Sequence, residues 1–276
     1  MQKVEKLKTI LKRLGRVVVA YSGGLDSTFL LKMAIDTLGE DNVLAVTARS
    51  ETYPNWEYKE AKKIAKALGA MLLTIKTDEL KIKNFKSNPV NRCYYCKKEL
   101  FSRLNKIRDK HKMNYVIDGT NLDDLKDVRY GSKAAGELGV KKPLLEANIT
   151  KADIRKYSKA LKLPTWDKPS SACLASRVPF NNKITKERLD KIGKAEDYMR
   201  QLGFSQVRVR IHGSIARIEV PEKDLKLGMA FKGLIVNKLK RLGFNYVALD
   251  LEGYRTGSMH EEVVAGTGFE PVTRRV

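Results

Sequence analysis

The sequence predicts an α/β fold, in which a doubly wound parallel sheet is followed by a smaller C-terminal α+β domain. Over the first 165 residues, short apolar runs alternate with amphipathic helical stretches, and this alternation stops after Pro164. Strands that alternate with helices build a parallel sheet covered on both faces. Ligands bind such sheets at the carboxyl ends of their strands, so we look for functional residues there.

The elements of the first domain follow from apolar spacing. Strands are predicted at residues 16–21, 43–47, 71–75 and 115–118. Helices are predicted at residues 27–38, 55–68, 97–112 and 132–138, after an amphipathic helix at the N-terminus. A further helix is expected to begin at Thr150, because Thr150 and Asp153 have the spacing of a capping box.

The second half of the chain has a different pattern. Residues 166–184 are rich in small polar residues and contain Pro169 and Pro179, which predicts a linker between domains at 1–165 and 185–262. In the second domain we expect a helix at 185–202, strands at 206–212, 214–220 and 244–250, and helical sequence at 221–242. Residues 263–276 form a tail without periodicity.

Charge and hydropathy limit the classes of partner. Lys and Arg number 54 against 32 Asp and Glu, and the formal charge of +22 indicates an anionic partner such as a nucleotide or a phosphorylated metabolite. The lysines are spread along every helix, so we do not expect nucleic acid as a partner. The chain has no apolar run of about 18 residues, and its first helix is amphipathic rather than a signal peptide. We therefore expect a cytoplasmic protein without a membrane partner.

A glycine-rich loop, Ser22–Ser27 with the sequence SGGLDS, lies between the first strand and a helix. Two glycines let the backbone turn sharply and approach an anion. The N–H groups of the loop and of the helix N-terminus then point at that anion. The loop matches neither the Walker pattern nor the dinucleotide-binding pattern.

A second glycine turn, 118–121 with the sequence DGTN, follows the fourth strand. It is expected to flank the other side of a bound nucleotide. Asp123 and Asp124 come next, and they are interpreted either as magnesium ligands or as solvated loop acids.

The three cysteines fall in two distant segments. Cys93 and Cys96 form a CxxC pair, whereas Cys173 lies in the linker among small residues and four residues before Arg177, a setting that favours an accessible thiolate. So few cysteines argue against a disulfide framework. A CxxC pair is typical of a zinc half-site or a redox pair. Structural zinc needs four ligands, and no histidine is near a cysteine in sequence. Because both segments look polar and loop-like, buried structural thiols are the least expected alternative.

Arginines alternate with apolar residues in the VRVRI strand of the second domain. Arg208 and Arg210 point to one side, and a hairpin with the next strand brings Arg217 and Glu219 to the same side. Guanidinium groups suit phosphate, although alternation alone favours an ordinary solvated strand face.

The loop SGGLDS matches the pyrophosphate loop (PP-loop) of the ATP-pyrophosphatase superfamily, which includes NAD and GMP synthetases and tRNA thiolases. Together with DGTNLDD, ACLASR, VRVR and EGYRTGSM, it makes the chain resemble the LarE family from about residue 5 to residue 262. The resemblance implies an ATP-dependent sulfur transferase. Such an enzyme adenylates a carboxylate of pyridinium-3,5-biscarboxylic acid mononucleotide and inserts sulfur. The thiocarboxylate belongs to biosynthesis of the nickel-pincer nucleotide of lactate racemase.

The resemblance also implies site residues. The residues expected to bind ATP are Ser22, Gly23, Gly24, Asp26, Ser27, Thr47, Gly119 and Thr120. Magnesium is expected near Asp26, with Asp123 as a second candidate ligand. The residues expected to hold the substrate phosphate, or to lie beside it, are Ser176, Arg208, Arg210, Glu219 and Arg255.

The family has two sulfur strategies. In one, the cysteine matching Cys173 gives up its own sulfur; in the other, three cysteines hold a 4Fe–4S cluster whose open iron carries a sulfide. Because this chain has Cys93, Cys96 and Cys173, we expect the cluster. The alternatives are a sacrificial Cys173 beside a Cys93–Cys96 redox pair, a tRNA thiolase, and a catalytically silent nucleotide sensor. The resemblance further implies a homo-oligomer, trimeric or hexameric.

Overall fold

A computed structural model describes residues 2–126, 130–255 and 257–260 of the chain. The chain divides into two compact units. The first comprises the residues up to Phe85 together with Asn91–Ser171. The second comprises Lys86–Val90 and the residues from Ala172 onward. No helix among the described residues has both the length and the apolarity needed to cross a bilayer.

The first unit contains the predicted parallel sheet. Within its described residues, β1 (Val17–Ala20), β2 (Val43–Arg49), β3 (Met71–Lys76) and β4 (Tyr115–Ile117) pair in the order β3-β2-β1-β4, and every pairing is parallel. All four strands begin and end within two residues of their predicted bounds. From β1 the chain passes to β2 on one side and later to β4 on the other, so the strand order reverses between β1 and β4. This switch point is where such sheets bind ligands.

Helices cover both faces of this sheet. The helices are α1 (Gln2–Leu14), α2 (Leu25–Leu38), α3 (Asn55–Ala67), α4 (Lys83–Lys86, which ends in the second unit), α5 (Arg92–Lys110), α6 (Tyr130–Glu137), α7 (Pro143–Glu146) and α8 (Lys151–Ala160). Val17 and Val19 pack into one apolar cluster with side chains of α1 and α2. Val18 packs into a second cluster with Phe101 and Leu104 of α5. Because alternate residues of β1 are buried on opposite faces, the strand is apolar throughout.

The start of α8 agrees with its prediction, whereas the start of α5 does not. The capping box is confirmed: Asp153 N donates to Thr150 Oγ1 at 3.1 Å, and Thr150 N donates to Asp153 Oδ2 at 3.0 Å. In contrast, α5 begins at Arg92, five residues before the predicted start. The description of the Cys93–Cys96 segment as loop-like is therefore wrong, because this segment forms the beginning of a 19-residue helix.

The second unit is the predicted smaller α+β part. Its elements are α9 (Lys186–Gln201), β5 (Arg208–His212), β6 (Ile215–Glu219), α10 (Leu225–Ala230), α11 (Lys232–Arg241) and β7 (Tyr246–Leu249). β5 and β6 form the expected antiparallel hairpin, and β7 pairs in parallel with β6. The helical stretch predicted at 221–242 is broken into a 3-10 turn, α10 and α11. Gly228 and Gly233, on either side of the break at Phe231, have low helix propensity.

Candidate active site

The loop Ser22–Ser27 connects β1 to α2, and its glycines are required by its geometry. Gly23 has φ +67°, and a Cβ added there would lie 2.4 Å from the Ala61 Cβ of α3. Gly24 is the N-cap of α2 and provides no side-chain hydrogen bond to the helix. The first N–H groups of a helix have no intrahelical partner, so this turn offers donors to an anion.

Hydrogen bonds between the serines brace the loop internally. The hydroxyls of Ser22 and Ser27 are 3.0 Å apart, and Ser22 N donates to Ser27 Oγ at 3.2 Å. Ser27 is buried whereas Ser22 is exposed. The two ends of the six-residue loop are thereby held together.

The turn after β4 meets this loop at the switch point of the sheet. A Cβ on Gly119 would lie 3.1 Å from Ser27 N and 3.2 Å from Asp26 Cβ, so the backbone of the turn packs against the beginning of α2. Thr120 N donates to Asp118 Oδ1 at 3.0 Å, which shapes the turn. Gly119 and Thr120 are therefore close to the glycine loop, as expected from their positions at strand ends.

Asp26 contacts Lys151, a residue that no sequence motif indicated. Lys151 Nζ lies 2.5 Å from Asp26 Oδ2, and Lys151 N donates to Asp123 Oδ2 at 2.8 Å. Asp123 thus contacts the N-terminus of α8. The other Asp26 oxygen, Oδ1, is buried and accepts no hydrogen bond from the described residues. No local sequence pattern indicates the contact between Asp26 and Lys151, because the two residues are 125 positions apart.

The acidic residues at this site suit magnesium only if phosphate oxygens and water supply its remaining ligands. No group of three His, Cys, Asp or Glu side chains in a metal-binding arrangement occurs within the described residues. Mg²⁺ in phosphate-binding sites typically takes one or two carboxylates and completes its shell with water and phosphate oxygens. The buried Oδ1 of Asp26 fits that role.

Thr47 lies near the carboxyl end of β2. It is buried, and its hydroxyl has no hydrogen-bond partner among the described residues. It follows Val46, which pairs with Ala20 at the end of β1. The hydroxyl therefore lies on the strand next to the one that leads into the glycine loop.

The three cysteines are divided between the two units. Cys93 is exposed and Cys96 is half-buried, and their spacing of three puts them on one face of the first turns of α5. A helix N-terminus favours thiolates. Cys173 is exposed in the second unit, as N-cap of the 3-10 turn Leu174–Arg177. Two of the thiols are brought together by the helix, and the third belongs to the other unit.

Arg177 braces the turn that carries Cys173. Its Nε and NH2 contact the two carboxylate oxygens of Glu196 on α9 at 2.8 and 3.1 Å. Its NH1 donates to the carbonyl of Cys173 and to Ser176 Oγ, both at 2.9 Å. Ser176 Oγ in turn donates to the carbonyl of Cys173 at 2.8 Å. The guanidinium therefore fixes the backbone of the cysteine turn, a role that charge alone did not predict.

The arginine face of the hairpin is buried rather than solvated. Arg208 pairs in register with Glu219, and Arg210 pairs with Arg217. Arg210 NH2 donates to Glu219 Oε2 at 2.7 Å, while its NH1 donates to the carbonyl of Ser176 at 2.9 Å. Ser176 thus lies beside the hairpin, as the resemblance implied.

Several charged side chains are buried in the second unit. Among the described residues they are Arg177, Glu196, Arg208, Arg210 and Glu219, and the Asp250 carboxylate, which pairs with Arg217, is only 10% exposed. Guanidinium groups gathered in this way suit an added anion. Burial lowers the pKa of Arg208, and the nearby Arg177 lowers it further. Arg255 is more peripheral, since it forms ion pairs with Glu252 at 2.9 Å and Asp250 at 3.8 Å.

Comparisons with known proteins give the family. The NAD synthase family matches residues 2–210. The pyridinium-3,5-bisthiocarboxylic acid mononucleotide synthase of Lactiplantibacillus plantarum is 42% identical over 255 residues, which cover 92% of each chain.

Two further relatives span nearly the whole chain. Uncharacterized protein slr1717 of Synechocystis sp. is 43% identical over 94% of this chain and 97% of its own. Uncharacterized protein MJ0830 of Methanocaldococcus jannaschii is 35% identical over 93% and 98%. The chain thus belongs to the NAD synthase family of ATP-using PP-loop proteins and, within it, to the LarE family of the L. plantarum synthase.

Proposed function

We propose that this protein is an ATP-dependent sulfur transferase that converts a carboxylate of pyridinium-3,5-biscarboxylic acid mononucleotide into a thiocarboxylate. The observation that carries the proposal is the glycine loop at the switch point, where the first N–H groups of α2 have no intrahelical partner. The chain that contains this loop is 42% identical to a synthase of the bisthiocarboxylic product. By the resemblance, the product contributes to the nickel-pincer nucleotide of lactate racemase. The same resemblance supports a trimer or hexamer as the functional form.

The first step is adenylation of the substrate. A carboxylate oxygen attacks the α-phosphorus of ATP, the bond from that phosphorus to the bridging oxygen breaks, and pyrophosphate leaves. Negative charge builds up on the leaving pyrophosphate, where preorganised N–H donors are most effective. Ser22, Gly23, Gly24 and Ser27 are proposed to supply these donors. Asp26 is proposed to hold magnesium through the oxygen that Lys151 does not contact.

The substrate phosphate is proposed to bind the buried arginines of the second unit. Arg208 and Arg210 supply the charge, and both guanidinium-bearing residues are buried and alternate along β5, so they share one face of the hairpin. Glu219 orients Arg210, and Ser176 and Arg255 are proposed as neighbouring contacts. A phosphate anchored there positions the pyridinium carboxylate for adenylation without taking part in the reaction itself.

The second step transfers sulfur to the activated carboxyl carbon. A sulfide sulfur forms a bond to that carbon, the carbon–oxygen bond to AMP breaks, and AMP leaves. The chain has as many cysteines as there are thiolates on a 4Fe–4S cluster with one open iron, and none of the three is fully buried, so Cys93, Cys96 and Cys173 are proposed to hold it. When bound, a 4Fe–4S cluster with three thiolate ligands supplies the sulfide from its open iron.

Cys173 as a sacrificial donor is the second candidate, favoured by its exposure within a turn that Arg177 fixes. Its thiolate would displace AMP to give a thioester. Loss of the Cys173 Cα proton would then break the Cβ–S bond, which releases the thiocarboxylate and leaves dehydroalanine.

The test uses the full chain purified without oxygen. Iron and sulfide are analysed first, and the protein is then incubated with ATP, magnesium, sulfide and the pyridinium substrate while AMP and thiocarboxylate are followed by mass spectrometry. We expect AMP and thiocarboxylate in equal amounts over several turnovers. AMP formation that requires tRNA, or no AMP at all, would contradict the proposal in favour of a tRNA thiolase or a nucleotide sensor.

A further inference from the structure

Two side chains from outside the glycine loop hold its carbonyl groups. The Tyr53 hydroxyl donates to the carbonyl of Ser22 at 2.7 Å, and Lys168 Nζ donates to the carbonyl of Gly23 at 3.1 Å. In a trans peptide, the C=O of one residue and the N–H of the next point in opposite directions. Holding these two carbonyls therefore orients the N–H groups of Gly23 and Gly24 the opposite way. The Gly24 N–H also donates to Ser22 Oγ at 3.4 Å, a long hydrogen bond that a phosphate oxygen can displace.

Lys168 is set up to make this contact. Its side chain is 11% exposed and forms an ion pair with Glu60 of α3 at 2.8 Å. Its ammonium also lies 5.6 Å from the centre of the Trp56 ring. A lysine this deeply buried is expensive to desolvate unless its charge is compensated. The carboxylate and the ring compensate it and direct the ammonium at the loop.

Tyr53 remains a donor at physiological pH. Burial raises the pKa of its phenol, and the neighbouring Glu57 raises it further. The hydroxyl therefore stays protonated and keeps its hydrogen bond to the loop.

The segment that contains Lys168 is itself fixed within the first unit. Arg155 of α8 donates to the carbonyls of Trp166 at 2.8 Å and Lys168 at 3.2 Å. Ser171 Oγ donates to Glu57 of α3. Residues 166–171, which the sequence analysis assigned to a linker, thus give Lys168 a defined place.

We propose that Lys168 and Tyr53 are positioning residues of the ATP site, which hold the Gly23 and Gly24 N–H groups toward the phosphates. The inference rests on ATP binding at the loop. It does not depend on which carboxylate is activated or on the source of sulfur.

The experiment measures binding of α,β-methylene-ATP with magnesium, and of adenosine, to the full chain and to three variants. For Lys168→Met we expect the Kd of the ATP analogue to rise at least about tenfold, because a charge-assisted hydrogen bond is lost. For Tyr53→Phe we expect a rise of about three- to tenfold, as for a neutral hydrogen bond. Lys168→Arg retains a donor and is expected to bind more tightly than Lys168→Met. Adenosine, which has no phosphate, should bind all forms equally.

The matched control is Lys63→Met, which removes an exposed lysine of α3 and should leave both affinities unchanged. Unchanged affinity of Lys168→Met for the analogue would overturn the inference, and so would an equal loss for adenosine, since that indicates general disruption. If the wild type binds the analogue but makes no thiocarboxylate, the proposed function fails while this inference stands. If the wild type does not bind the analogue, the inference is refuted as well.

Discussion

The carboxylate of Asp26 and the ammonium of Lys151 form an ion pair, with 2.5 Å between Oδ2 and Nζ, at the beginning of α2. The pair joins residues 125 positions apart in the chain. It compensates Asp26 and leaves Oδ1 without a hydrogen bond from the described residues. This arrangement suits a carboxylate that shares a cation with ATP.

Replacing Asp26 with Ala should abolish AMP formation while leaving bound iron unchanged. The variant lacks the carboxylate proposed to bind magnesium at the phosphates, a change expected to cost about a hundredfold or more in rate. AMP release and iron content measure the two effects separately. The control is Asp36→Ala, which removes a carboxylate of α2 that pairs with Lys32 instead. If Asp26→Ala loses iron to the same extent as it loses AMP formation, the variant is misfolded.

Replacing Cys96 with Ser should have the reverse effect. Iron and sulfide content are expected to fall and thiocarboxylate formation to stop, whereas AMP formation from ATP and the pyridinium substrate continues. Loss of both activities at once would contradict the separation of the two steps.

The cluster and the sacrificial thiol are distinguished by the mass of the protein. If Cys173 donates its own sulfur, one turnover leaves the chain lighter by the mass of hydrogen sulfide. If sulfide comes from the cluster, the chain mass is unchanged after many turnovers. Intact-protein mass spectrometry after a single turnover decides between them.

Gly23→Ala is expected to destabilise the protein and to prevent ATP binding. The φ of +67° and the 2.4 Å approach to Ala61 act together, so we expect a loss of about 2–4 kcal/mol in the free energy of unfolding. The matched control is Gly139→Ala, because Gly139 has the same φ of +67° but nothing within 4 Å of an added Cβ. Its cost should be limited to the backbone term, about 1 kcal/mol. If Gly23→Ala and the control variant unfold at the same denaturant concentration, the close approach to Ala61 does not contribute to the loss of stability.

The buried charges of the second unit predict different effects for two substitutions. Arg208→Met removes a guanidinium proposed to bind the substrate phosphate, so KM for the pyridinium substrate should rise at least about tenfold. Glu219→Gln leaves Arg210 and Arg217 without their shared carboxylate. It should lower the free energy of unfolding by about 3 kcal/mol. Steady-state kinetics measures the first effect and denaturant unfolding the second; an unchanged KM in Arg208→Met would contradict the phosphate site.

The Lys3–Asp153 pair predicts a pH dependence of stability. Burial alone would raise the pKa of Asp153, but hydrogen bonds from Lys3 and Thr150 outweigh it and lower the pKa to about 2. A lowered folded-state pKa adds stability above the unfolded value of 3.8, and this stability is lost as the pH falls toward 2. Asp153→Asn should therefore unfold more easily than the wild type at pH 6, by about 1 kcal/mol after solvent screening. The difference should shrink below pH 4.

The sequence predicted the parts of the site that depend on neighbouring residues. Apolar residues of β1 followed by SGGLDS indicate a strand, a turn and a helix, and Thr150 with Asp153 indicates a helix start. These signals are local, because turns and caps are made by residues a few positions apart.

Prediction from the sequence failed where the contacting side chains come from distant segments of the chain. The contacts of Lys151 and Lys168 with the loop join residues more than 120 positions apart. The first turns of α5 were missed for another reason: Cys93 and Cys96 continue the helical spacing of Leu100 and Leu104, but the polar residues around them and the CxxC pattern suggested a loop. Arg208 and Arg210 looked solvated from alternation, since the burial that covers them depends on tertiary packing.

The segment Lys86–Val90 has a consequence for dissecting the protein. It belongs to the second unit: the buried Asn88 amide donates to the carbonyls of Val178 and Pro179 at 3.2 and 2.7 Å, and Ile184 N donates to the carbonyl of Lys86 at 2.9 Å. A fragment cloned from residue 172 onward would lack this piece and expose the groups it satisfies. The C-terminal part cannot be excised by one cut in the gene, and transferring it to another protein requires that the short upstream stretch is transferred with it.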